Sequence, residues 1–93
     1  MLLLKHTGAR IDLPLVWAQV YDVACIVEDK YNVQFRIIIK DYANIDVVEI
    51  KCKYKNRTFV SSGNDSNANL FNCIINLLTF IEEESETDRN TNA

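Results

Sequence analysis

Ninety-three residues, 48% hydrophobic and 25% charged with a net charge of −3, have the composition of one globular domain, not of a disordered chain. A chain this short needs most of its interior to hold itself together, which leaves little room for a deep substrate pocket. Three widely spaced cysteines, Cys25, Cys52 and Cys73, with no C-x-x-C, argue against a disulfide framework and a zinc site, and predict buried free thiols in a reducing compartment.

Met1 to Leu4 is apolar, but Lys5 and His6 end the run, which is too short for a signal peptide or a membrane span. A soluble, cytoplasmic protein is the expectation. Leu2 to Leu4 are expected to form a short edge strand or a hydrophobic staple, with a turn at Thr7-Gly8. Asp12 reads as a helix N-cap, with Pro14 in the first turn. Leu13, Val16, Trp17, Val20, Val23, Ala24, Val27 and Tyr31 then recur at spacings of three and four. That period predicts a helix over about 13–30, stopped at Asn32.

Residues 33–39 alternate, with Val33, Phe35, Ile37 and Ile39 directed to a core and Gln34, Arg36 and Ile38 away from it. Asp41 to Asn44 form a turn. Residues 46–54 alternate again, with Val48, Ile50, Cys52 and Tyr54 inward. A turn at Asn56-Arg57 would return the chain through Thr58, Phe59 and Val60 and set Tyr54 opposite Phe59. After a polar loop, Leu70, Phe71, Ile74, Leu77, Leu78 and Ile81 predict a second helix over about 67–83, with Asn69, Asn72, Asn76 and Thr79 between them. The fold class read from this order is α+β, a two-layer helix, three-stranded antiparallel sheet, helix. Residues 1–84 form the single domain and residues 85–93 a flexible acidic tail. Trp17, Val20, Phe35, Ile37, Ile50, Ile74 and Leu77 are the predicted core.

The chemistry of catalysis is missing from this pattern. His6 is the only histidine, and the cysteines stand at core positions. Glu82, Glu83 and Glu84 are consecutive on a helix, so they fan out instead of converging on a metal. Gly8 and Gly63 stand alone, so no phosphate loop exists. No enzyme activity, cofactor or metal is expected. Charge is unevenly spread: Arg36, Lys40, Lys51, Lys53, Lys55 and Arg57 make the middle basic, and Glu82, Glu83, Glu84, Glu86 and Asp88 make the end acidic. Ten Asn and ten Ile point to a low-GC genome of the kind found in many bacteria and their mobile elements.

The element order resembles that of the double-stranded RNA-binding domain. The stretch Asn64-Asp65-Ser66-Asn67-Ala68 lacks the lysine cluster with which that family meets phosphates, and Asp41-Tyr42-Ala43-Asn44 lacks its loop histidine, so direct nucleic-acid binding is not expected. Size, acidity, element order and the helices Leu13-Pro14-Leu15-Val16-Trp17-Ala18-Gln19-Val20 and Asn69-Leu70-Phe71-Asn72-Cys73-Ile74-Ile75 also resemble the small α-β-β-β-α proteins of phages and mobile elements, anti-CRISPR inhibitors among them. That resemblance implies a non-catalytic inhibitor that occupies a surface of a host nuclease or other defence complex in the host cytoplasm. Acidic side chains would stand in for phosphates against a basic groove. The partner-binding candidates are Asp22, Glu28, Asp29, Arg36, Ile38, Lys51, Lys53, Glu82, Glu83 and Glu84. An alternative reading is a nucleic-acid-binding domain that uses the basic sheet face. A homodimer is a further expectation, because Ile38, Val47 and Val60 sit among the charges of that face and the Ile-rich first strand suits a sheet edge.

Overall fold

The computed structural model describes residues 2–43 and 45–91. In chain order it contains α1 (Leu2–Thr7), α2 (Trp17–Tyr31), β1 (Phe35–Tyr42), β2 (Ile45–Tyr54), β3 (Arg57–Gly63) and α3 (Ser66–Thr91). The strands form one antiparallel sheet in the order β1-β2-β3, with helices on one face. The α+β reading therefore holds, with one helix more than expected. Among the described residues no helix is long and apolar enough to cross a membrane.

The additional helix is α1, where an edge strand or staple is expected. Leu3 is its buried residue. The Thr7 hydroxyl donates to the Leu3 carbonyl at 2.7 Å, and the Gly8 N–H donates to the Leu4 carbonyl at 2.8 Å. Gly8 ends the helix at φ +72, a conformation that costs glycine little.

The second helix starts later than Asp12 predicts. A helix capped by Asp12 would need Leu13 in the helical region directly before Pro14, and the proline ring disfavours that. Residues 13 and 14 form a bend instead, and extended Val16 is the N-cap, with no side-chain cap bond. Asn32 does stop the helix, in the left-handed conformation at φ 54, with its N–H on the Glu28 carbonyl. The Leu15 carbonyl accepts from Asn67 Nδ2 at 3.2 Å, which ties the segment before α2 to the start of α3.

The hairpins close on Tyr42↔Ile45 and Tyr54↔Arg57. The second loop is therefore Lys55-Asn56, with Lys55 at φ 55, and Phe59 lies opposite Cys52 instead of Tyr54. The register differs from the expected one by two residues, so each side chain keeps its expected face. Tyr54 and Phe59 still meet through Phe80 of α3, whose ring centroid lies 6.2 Å and 5.6 Å from theirs.

The core joins Ile50 and Cys52 of β2 to Leu70, Cys73, Ile74, Leu77 and Leu78 of α3, and these to Val20, Val23, Ala24 and Val27 of α2 and Leu3 of α1. Of the predicted core, Val20, Ile50, Ile74 and Leu77 are fully buried. Trp17 and Phe35 are only half-buried, and Ile37 is 43% exposed. The reason is coverage. A helix about 10 Å across spans two strands spaced about 4.8 Å apart. α3 lies on β2 and β3, and α2 packs against α3, so no helix closes over the far half of β1.

Asn69, expected on the polar side of α3, is buried. Its Nδ2 donates to the Val48 and Gly63 carbonyls at 3.0 Å and 3.2 Å, and its Oδ1 accepts from the Ser61 hydroxyl at 3.3 Å. It bridges the last pair of the β2–β3 ladder, Val48↔Gly63. Asp65 caps α3, its Oδ1 accepting from the Ala68 N–H at 3.1 Å. The helix runs on to Thr91, past the end expected near residue 83 and into the stretch read as a tail, because no Gly or Pro stands between Glu82 and Thr91 to stop it. Residues 92 and 93 of that stretch lie outside the described residues.

Ile74→Ala is expected to cost about 2–5 kcal/mol in urea unfolding, while Ile39→Ala, at a position 70% exposed on the uncovered half of β1, changes stability by less than about 0.5 kcal/mol. Equal losses at the two sites would mean that β1 is covered after all. Asn69→Ala removes the side chain's hydrogen bonds to the Val48 and Gly63 carbonyls and to the Ser61 hydroxyl and is expected to cost about 1–3 kcal/mol in the same measurement.

Candidate interaction surfaces

The face that α3 leaves open is the first candidate. Ile39 is 70% exposed, Ile37 43% and Tyr21 of α2 49%. Between α2 and β1 lies a slot of about 160 Å³ lined by Tyr21, Ala24, Glu28, Phe35, Ile37 and Leu70. Glu28, read as a partner contact, has an internal task here: its Oε2 accepts the Phe35 N–H at 2.9 Å. That bond shows which way the strand's amides point. In an antiparallel ladder alternate residues direct both N–H and C=O to the same neighbour. Phe35 gives its N–H to Glu28 and not to β2, so Ile37, Ile39 and Asp41 also direct their backbone groups to the free edge.

The outer sheet face is the second. Arg36 lies directly opposite Lys51, and Lys53 opposite Thr58. Glu49 neutralises part of this face, accepting from Lys40 at 3.0 Å and lying 3.2 Å from Lys51, and the two ammonium groups hold its carboxyl below the usual carboxylate range. Neither Arg36 nor Lys53 forms an ion pair among the described residues. Both line an open cleft of about 770 Å³ that also contains Cys25, Glu28, Asp29 and Lys51. Like charges set opposite one another across strands repel, so this face gains from an anion. Ile38 is half-buried between Arg36 and Lys40, opposite Glu49.

The acidic candidates are dispersed. Asp22 and Asp29 are exposed on α2. Glu82 is turned inward, its Oε1 accepting from Lys5 and its Oε2 lying 2.9 Å from His6 Nε2. Glu84 pairs with Lys55 at the β2–β3 turn. Glu83 lines a cavity of about 360 Å³ with Arg57, Phe59 and Phe80. The expectation that consecutive helix positions fan out is met: the three carboxyls serve three places.

His6 is held at both ring nitrogens. An ionised Glu82 can only accept, so His6 Nε2 donates to it, and in the neutral imidazole Nδ1 then accepts from the Tyr31 hydroxyl. Lys30 closes the junction by donating to the His6 carbonyl at 2.8 Å. A carboxylate, an imidazole and a phenol in line resemble the parts of a proton relay. The three clefts described here are lined by none of them, and the cluster joins α1 to α2 and α3. Nothing in residues 5–7 alone announces it, since its carboxylate lies 76 residues away.

Burial pushes the Cys73 thiol up to about 12 and the Cys52 thiol up to about 11, while Cys25 is exposed. The buried-thiol expectation holds for two of the three. Among the described residues no cluster of three ligands could hold a metal ion. No family model, curated protein or solved structure matches the chain.

The Lys5 ammonium first, and then His6, hold the Glu82 carboxyl below the usual carboxylate range. A carboxyl lowered in the fold stabilises it above its ordinary value, and that contribution disappears as the pH falls through the lowered one. Urea midpoints measured from about pH 6 to about pH 3 are expected to fall, and Glu82→Gln should lower the upper plateau and flatten the decline. An unchanged acid limb in that variant would show that α1 is not held through Glu82.

Proposed function

We propose that the chain is a non-catalytic protein-binding module whose docking surface is the open side of β1 and α2. The observation that carries this reading is the coincidence of exposed Ile37, Ile39 and Tyr21 with a strand edge that has no neighbouring strand and directs the backbone groups of Ile37, Ile39 and Asp41 outward. Apolar side chains beside unsatisfied amides give a partner both contact area and hydrogen bonds. An inhibitor of a host nuclease or other defence complex in the cytoplasm is the specific form that the resemblance to anti-CRISPR proteins suggests. Phosphate mimicry would then fall to Asp22 and Asp29, because Glu28, Glu82 and Glu84 are engaged within the fold.

A second reading is favoured by Arg36 and Lys53, which lack counter-charges on the outer face. It makes that face a nucleic-acid surface. The two readings separate in one set of measurements. Partner capture from a bacterial lysate that is lost in Ile39→Lys and kept in Lys53→Glu supports the module. Tight binding of the isolated protein to DNA or RNA, weakening steeply between about 0.05 and about 0.2 M salt and lost in Lys53→Glu, overturns it.

A further inference from the structure

The free edge of β1 has features that restrict what can dock on it. Outward-directed backbone groups remain at Ile37, Ile39 and Asp41, while Glu28 already occupies the Phe35 N–H. The open stretch is therefore five residues, about 17 Å of strand. β1 contains no proline, and its pairing with β2 is unbroken, so bulge or ring does not protect the edge. On the helix side, Tyr21, Ile37 and the slot between α2 and β1 leave space for apolar side chains. On the outer side the flanking charges are basic, Arg36 and Lys40, and Arg36 has no ion pair among the described residues.

From this we infer that β1 accepts a fourth strand from a partner protein, an extended segment whose side chains alternate between apolar and acidic. The inference rests on the module reading and adds the chemistry of the partner. Apolar residues of the segment enter the helix side, against Ile37, Ile39 and Tyr21. Its acidic residues lie opposite Arg36 and beside Lys40, where cross-strand pairs of opposite charge stabilise. A second copy of this chain fits less well. Two β1 strands paired about Ile38 set Arg36 opposite the other copy's Lys40. Pairing about Ile37 requires the Phe35 N–H that Glu28 holds, and pairing about Ile39 places Ile37 opposite a carboxylate, Asp41.

The test uses the full chain and a blocked seven-residue peptide of alternating valine and glutamate. Its two controls are a peptide with lysine replacing glutamate and a glutamate peptide N-methylated on alternate amides. Binding is followed by fluorescence anisotropy and by amide chemical shifts. The glutamate peptide should bind, shift the amides of residues 37–41, and lose at least about ten-fold in affinity in Ile39→Lys. Arg36→Glu should invert the preference toward the lysine peptide, and the N-methylated peptide should not bind. Both substituted positions are exposed, and unchanged circular dichroism and melting of each variant show that the fold is retained. No binding up to roughly millimolar peptide, equal binding of the N-methylated peptide, or shifts confined to the outer sheet face would overturn the inference. So would a dimer in light scattering that the peptide fails to dissociate. If Ile39-dependent partner capture persists while the peptide fails, the strand-addition inference falls and the module reading stands.

Discussion

A single helix width sets the shape of this protein. The apolar stripe of α3, from Leu70 through Leu78, rests on Ile50 and Cys52, and one helix reaches across two strands and no more. The second helix that would complete the layer has its apolar stripe, Val20 to Val27, turned toward α3. β1 is held by its ladder to β2 and by Glu28, and its own isoleucines are left partly in water. The open surface is thus a direct result of how the helical layer is divided, and it requires no distortion of any element.

Polar groups complete what the apolar stripe cannot. Asn69 is the only polar side chain among the buried described residues, and it finds three partners at the end of the β2–β3 ladder. At the opposite end, aromatic rings run from Phe59 through Phe80, Tyr54 and Tyr31 to His6, with neighbouring centroids 5.6–6.4 Å apart. Lys30 lies over the Tyr31 ring, and Arg57 lies 4.9 Å from the Phe80 centroid. Glu82 and Glu84 flank this ladder and tie it to Lys5 and Lys55. An acidic run that reads as a solvated surface is therefore in part a set of internal clamps.

What the sequence makes legible is periodic. The two-residue alternation of 33–54 and the three-and-four spacing of both longer helices identify the sheet, its inner face and the central core at Val20, Ile50, Ile74 and Leu77. Illegible are the features set by distant pairings. Ile37 alternates as a core residue should, and whether a helix lies above it depends on where α2 settles. α1 is too short to show a period, and its partners Glu82 and Tyr31 lie 76 and 25 residues along the chain from His6. Of the candidate contacts, the bases of the outer face stand where alternation places them. Glu28, Glu82 and Glu84 look like free acids because nothing local reveals the Phe35 amide, Lys5 or Lys55 opposite them.

The distance that hides the α1 junction from the sequence also orders its assembly. The two hairpins pair neighbours in the chain, so they close early and at small entropic cost. Lys5 and Glu82 are separated by 77 residues, and the loop between them contains every strand. During synthesis from the N-terminus, Leu3 leaves the ribosome long before the α3 surface that will bury it exists. For most of that interval α1 is an unstable single helical segment, too short to persist alone. Leu3 is buried only once α3 is in place, so a nascent chain stalled before α3 has emerged would carry Leu3 uncovered.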